Sequence, residues 1–202
     1  MRLLSFLSLA LVGASAFAGP LTVASYDMPN GYTGTYKYWD LKYNGTGQTN
    51  VNGAPLSGGV GDLTDGYIET KNWNQVENSA GTGPYVGWSI NPVITFHFST
   101  VVEIDTIIVH ADDSNGAGGV SLPDSVVING TLFDVDQNAA GAEPKALTFS
   151  GLGIEDDSVE IQLNRSNAWV FVSEVQFDGE PVPEPATMAV LGLGMLALRR
   201  RR

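Results

Sequence analysis

The sequence predicts an all-β domain, a jelly-roll β-sandwich, and three observations carry that expectation. Between residues 21 and 179 no stretch of ten or more residues sustains a 3.6-residue apolar period. Short β-branched and aromatic runs recur there instead, separated by clusters of Gly, Asn, Asp and Pro. Ile94, Phe96 and Phe98 alternate with Thr95, His97 and Ser99, the period-two pattern of a strand with one buried and one wet face. The strands expected on these grounds are 36–43, 85–90, 93–98, 104–111, 125–128, 131–135, 146–149, 158–164 and 168–177. Asn129-Gly130, between Ile128 and Thr131, reads as a two-residue hairpin, because a type I′ turn needs positive φ at both central positions. The stretches 44–62 and 112–119 read as long Gly-rich loops, the part of a rigid β scaffold where binding concentrates.

Both ends of the chain read as address labels. Met1-Arg2, the apolar run from Leu3 to Val12 and the small-x-small site Ala16-Phe17-Ala18 form a secretory signal peptide over residues 1–18, too short to span a bilayer. At the other end Pro183-Glu184-Pro185 makes a stiff joint. A short apolar helix to Leu198 and the cluster Arg199 to Arg202 follow it. That helix reaches roughly 20 Å and under-spans a ~30 Å hydrocarbon core, so it reads as a transient anchor stopped by arginines. The ordered triplet over 181–202 resembles the PEP-CTERM sorting signal of Gram-negative bacteria. The resemblance implies sorting through Pro183, Glu184 and Pro185 by an exosortase-type membrane protease. It also implies transient inner-membrane anchoring and delivery to the cell surface or extracellular matrix.

Stripped of these labels, the working domain, residues 19–180, is far more acidic than the net −12 of the whole chain. Between residues 19 and 184 five basic residues face 22 acidic ones, a net of −17. A surface of that sign repels anionic polymers, so nucleic acid is not an expected partner, and it attracts divalent cations. The absence of cysteine excludes thiol catalysis, zinc-thiolate centres and disulfides. With two histidines, no Gly-x-Ser-x-Gly elbow and no phosphate loop, the chain does not read as an enzyme. The acidic pairs that a polysaccharide hydrolase would need occur freely by chance in so acidic a chain.

Several ordered pieces carry a second resemblance. They are Leu63-Thr64-Asp65-Gly66 with Thr70 and Trp73, the 94–98 strand, Ile104-Asp105-Thr106-Ile107, Pro123-Asp124-Ser125-Val126, and the run from Trp169 to Gly179. Together they resemble the galactose-binding-like domain of the discoidin and coagulation-factor type C kind. Tyr67 stands where that family carries a second Asp, and Trp73 falls late. An Asp-Gly turn offers a carboxylate and exposed carbonyls, the oxygen donors a hard cation takes. The resemblance implies that Asp65, Thr70 and Glu174 hold a structural calcium ion. Glu174 also stands among Trp169, Phe171, Val172, Val175 and Phe177, where a carboxylate needs a partner. The alternative is that strand alternation turns Glu174 to solvent and Asp65 caps a turn.

The composition suits carbohydrate binding, in which aromatic faces meet the C–H faces of sugars and a few polar groups fix hydroxyls. Trp73, His110, Arg165 and Asn167 are the candidate ligand contacts; Tyr26, Tyr32, Tyr85 and Trp169 also fall near expected loops, while Trp39, Trp88, Phe96 and Phe171 read as core. His110 has a structural alternative and Arg165 a surface salt bridge. The expectation is a secreted, non-catalytic protein that binds an extracellular glycan, and its rival is an adhesive matrix protein with no sugar pocket.

Overall fold

The computed structural model describes residues 18–137 and 141–183; the expected terminal helices, with Glu184 and Pro185, lie outside the described residues. The chain folds as an open jelly-roll β-sandwich. Its strands are β1 (Gly19–Pro20), β2 (Ser25–Pro29), β3 (Pro55–Gly59), β4 (Val86–Trp88), β5 (Val93–Ala111), β6 (Pro123–Ile128), β7 (Thr131–Asp134), β8 (Lys145–Arg165) and β9 (Val170–Pro181). One turn of helix, α1 (Trp73–Val76), interrupts them.

Two long strands, β5 and β8, pass through both layers. The first half of β5 lies between β2 and the second half of β8, which continues through β6 to β7. The second half of β5 lies between the first half of β8 and β9, with β4 and β1 on the far side of β9. All pairings between these strands are antiparallel. The inner faces meet in one core: Phe177 of β9 contacts Phe96 and Phe98 of β5 at ring-centroid distances of 5.0 and 5.3 Å.

The alternation read at 94–98 is observed, with Ile94, Phe96 and Phe98 buried. Further on, Asp105 is an extra residue in the ladder with β9, and this bulge resets the phase so that Ile107, Val109 and Ala111 take over the inward positions from Val102 and Ile104. The Asn129-Gly130 hairpin forms as expected, with φ of 44° and 81° and Ile128 opposite Thr131.

Other expectations are corrected. Residues 36–43 form no strand; they belong to the long connection between β2 and β3, fixed by side-chain bonds such as Thr33 Oγ1 to the Tyr36 carbonyl. The 44–62 loop contains β3, and β2 was missed because Pro, Asp and Met dilute a segment whose Tyr26 and Met28 nevertheless face the core. The separate strands at 93–98 and 104–111 are one, as are those at 146–149 and 158–164. The acidic run Glu155-Asp156-Asp157, which looks like a solvated turn, lies within β8, with Glu155 opposite Glu103. Tyr26 and Tyr85 are buried, not loop-exposed, and Trp39 is only half-buried, its Nε1 donating to Asn52 Oδ1 at 2.8 Å.

Phe177→Ala removes the ring that joins the two layers; it is expected to destabilise the fold by about 3–5 kcal/mol, as measured by urea denaturation.

Candidate functional site

β9 places a second aromatic cluster on the outside of its sheet. Val170, Val172, Val175 and Phe177 face the main core, whereas Phe171 faces away from it and packs with Tyr38, Tyr85 and Val120, with Trp73, Val76 and Trp169 partly buried around them. Tyr38 lies 4.6 Å from Phe171, and the two form the floor. Trp73 stands on one side, near-perpendicular to Tyr38 and Phe171 at 5.9 and 5.8 Å. Trp169 stands on the other, at 6.2 Å from both. Tyr36, 57 % exposed, stacks on Tyr38 at 5.9 Å and meets the edge of Trp169 at 5.8 Å. The rings enclose an open groove of about 270 Å³.

Local chemistry sets these rings. Asp112, fully buried at the end of β5, accepts the Trp73 N–H at 3.1 Å and the Ser114 hydroxyl at 3.0 Å. Burial, reinforced by Asp113, raises its pKa to about 6. Gly118 has φ +64° and backs directly onto Trp73, so that a Cβ there would meet Cζ2 at 2.5 Å. The Trp169 N–H donates to the Gly119 carbonyl at 3.0 Å, which fastens the 112–120 loop to the start of β9.

Of the four expected ligand contacts, only Trp73 lines the groove. Arg165 and Asn167 build the turn that carries Trp169: Arg165 Nη1 donates to the carbonyls of Asn167 and Ala168 at 3.0 and 2.7 Å, and Asn167 Oδ1 accepts the Ala168 N–H at 2.8 Å. His110 Nε2 lies 3.0 Å from Gln176 Oε1, on the outer surface where β5 and β9 pair. Tyr36, Tyr38 and Phe171 were not singled out as binding residues. The alternation of Tyr36 with Tyr38 suggested a strand, and Phe171 was correctly read as buried but in the wrong cluster.

The Asp65–Glu174 corner lies where the late strand meets the early turn. Glu174, only 4 % exposed, accepts the Gly66 N–H at 3.3 Å, and the Val175 N–H donates to the Leu63 carbonyl at 2.8 Å. Glu174 is therefore not on a wet face. Burial, with the nearby Asp65 charge, lifts its pKa to about 8 against the pull of backbone N–H groups. Asp65 does cap its turn, accepting the Tyr67 N–H at 2.9 Å, and its other oxygen binds Lys42 at 2.7 Å. Lys42 also pairs with Asp62 at 2.9 Å. Burial and the neighbouring Asp40 raise Asp62 to about 7. Thr70 enters the corner through its backbone, its N–H donating to the buried Glu69 at 2.7 Å. Asp65 and Glu174 are oxygen donors of the kind a hard cation takes, but both oxygens of Asp65 are already engaged, and among the described residues no three acidic or imidazole side chains group to hold a metal ion.

The family model of the discoidin domain-containing receptor 1/2 DS-like domain matches residues 22–179. The chain belongs to the discoidin DS-like family. The PEP-CTERM protein-sorting motif matches residues 181–202, so both resemblances read from the sequence are borne out. No curated protein matches the chain. Among solved structures, the CBM32 of AlyQ in complex with 4,5-unsaturated mannuronic acid shares 12% identity, covering 79% of this chain and 97% of that one at a TM-score of 0.41. The family 32 CBM from C. perfringens NanJ in complex with galactose shares 13%, covering 58% and 82% at 0.34. A fucolectin from Morone saxatilis (striped bass) serum shares 16%, covering 59% and 40% at 0.39.

Folding favours the protonated form of Glu174, so its contribution to stability is full below pH 4.5 and is lost as pH rises towards 8. Asp62, Asp112 and Glu77, also raised by burial, add to the same slope. With divalent cations chelated, unfolding free energy is expected to fall over that window, by up to about 1.4 kcal/mol per pH unit from Glu174 alone. Glu174→Gln should make the fall shallower in a pH series of chemical denaturation curves.

Proposed function

We propose that this DS-like domain is a secreted, non-catalytic glycan-binding module, and that Tyr36, Tyr38, Trp73, Trp169 and Phe171 form its binding face. The observation that carries the reading is the open groove whose floor and two walls are aromatic rings on a rigid sheet. Such faces bind the C–H surface of a pyranose, and partly exposed rings held by bonded loops lose little freedom on doing so. The PEP-CTERM tail supports delivery to the surface or matrix of a Gram-negative bacterium, with an exosortase-type protease acting at Pro183-Glu184-Pro185 after transient membrane anchoring. On a glycan array the domain should retain a defined set of sugars. Trp169→Ala and Tyr36→Ala should each weaken that binding about tenfold while leaving the melting temperature within a few degrees; a blank array accompanied by self-association would favour the adhesive alternative.

The corner of Asp65 and Glu174 is proposed to hold calcium as a structural clamp, with carbonyls of the 63–70 turn completing the shell and Thr70 as a further donor. A bound cation requires ionised Glu174, so calcium should raise the melting temperature more at pH 8 than at pH 5. Equal melts with calcium and with EDTA at pH 8 would overturn the site.

A further inference from the structure

At the end of the sandwich remote from the groove, a cleft is lined by Gly19, Pro20 and Leu21 on one side and Gly179, Glu180 and Pro181 on the other. The register sets Gly19 opposite Gly179, Glu180 opposite Glu103, and Glu103 opposite Glu155. Three glutamates therefore stand in one row across β9, β5 and β8, on the face opposite buried Val102 and Ile104. Like charges directly opposed in a sheet are destabilising. At the β1 end of this row, Glu180 Oε2 is buried and has no hydrogen-bond partner among the described residues. A carboxylate oxygen so placed lacks a donor.

The next position along the row belongs to the backbone of β1. Because Gly19 pairs with Gly179, the Ala18–Gly19 peptide bond lies beside Glu180. In the uncut chain that nitrogen is a neutral amide. It follows Ala16-Phe17-Ala18, the small-x-small pattern of a signal-peptide cleavage site.

We propose that the chain is cut between Ala18 and Gly19 and that the new α-ammonium of Gly19 ion-pairs with Glu180, closing the glutamate row with a positive charge. Hydrolysis by a signal-peptidase-type protease consumes one water, leaves a carboxylate on Ala18 and frees the amine of Gly19, which is protonated below its pKa. The Leu21 N–H, donating to the Phe177 carbonyl at 2.7 Å, holds the new end against β9. Maturation would thus complete the sheet edge as well as release the chain. This inference rests on secretion and is independent of any sugar bound at the groove.

The test uses the chain as its producing cells secrete it. Its N-terminal peptide, read by mass spectrometry, should begin at Gly19. With nitrogen-15 glycine, the α-amine should titrate clearly above the ordinary range of about 7.7–8.0. Glu180→Gln should return it to that range, and Glu103→Gln should lower it less. The wild type should lose its melting-temperature advantage over Glu180→Gln as pH rises through the amine's raised pKa. A different N-terminus, or an α-amine that titrates alike in the wild type and Glu180→Gln, would overturn the proposal.

Discussion

Everything distinctive about this molecule depends on β9 being packed on both faces. The six residues from Val170 to Val175 are all buried, which an ordinary strand of a two-layer sandwich does not allow. Ser173 is the reason the strand can serve both sides: the ladder passes from His110–Glu174 to Ala111–Val172, and this bulge shifts the phase between the two halves of the strand. Phe171 can then floor the outer groove while Val172, Val175 and Phe177 fill the main core. Glu174, just beyond the bulge, faces the early Asp65–Gly66 turn.

The same strand explains why buried acid accumulates on one side of the fold. Glu174 accepts the Gly66 N–H and the Glu69 N–H donates to Ser173 beside it, the Asp62 N–H donates to buried Asp40, and buried Asp112 follows the neighbouring strand. A carboxylate out of water is held by fixed N–H groups, a cation or a proton. Here the N–H groups of Gly66, Thr70, Lys71 and Trp73 supply the first, and Lys42 supplies part of the second. The raised pKa values of Glu174, Asp62 and Asp112 show that these partners do not fully offset burial.

Strand expectations held where the period was uninterrupted, as at 94–98 and through the 128–131 hairpin. They failed where punctuation and continuity conflict. Glycines, acids and serines inside β5 and β8 look like turns, yet both strands run on because each half finds a partner in a different layer. The site was partly legible: Trp73 was marked by its place after the Asp-Gly turn, and Glu174 by its apolar neighbours. Arg165, Asn167 and His110 attracted attention as polar residues near turns, and the fold engages the first two with backbone groups and His110 with Gln176.

Local pattern alone determined the all-β class, the PEP-CTERM motif at the C-terminal end and the acidity of the residues between 19 and 184. These are properties of composition and short-range spacing, and they survive whatever the strands pair with. Only the tertiary structure decided that Tyr36, Tyr38, Trp73, Trp169 and Phe171, drawn from three separate segments, form one groove, and that Glu103, Glu155 and Glu180 stand in a row beside Gly19. The groove follows from loops tied back onto β9 and the row from strand register, both of which depend on partners distant in the chain; a one-residue slip would have turned Phe171 and the three glutamates to the opposite face.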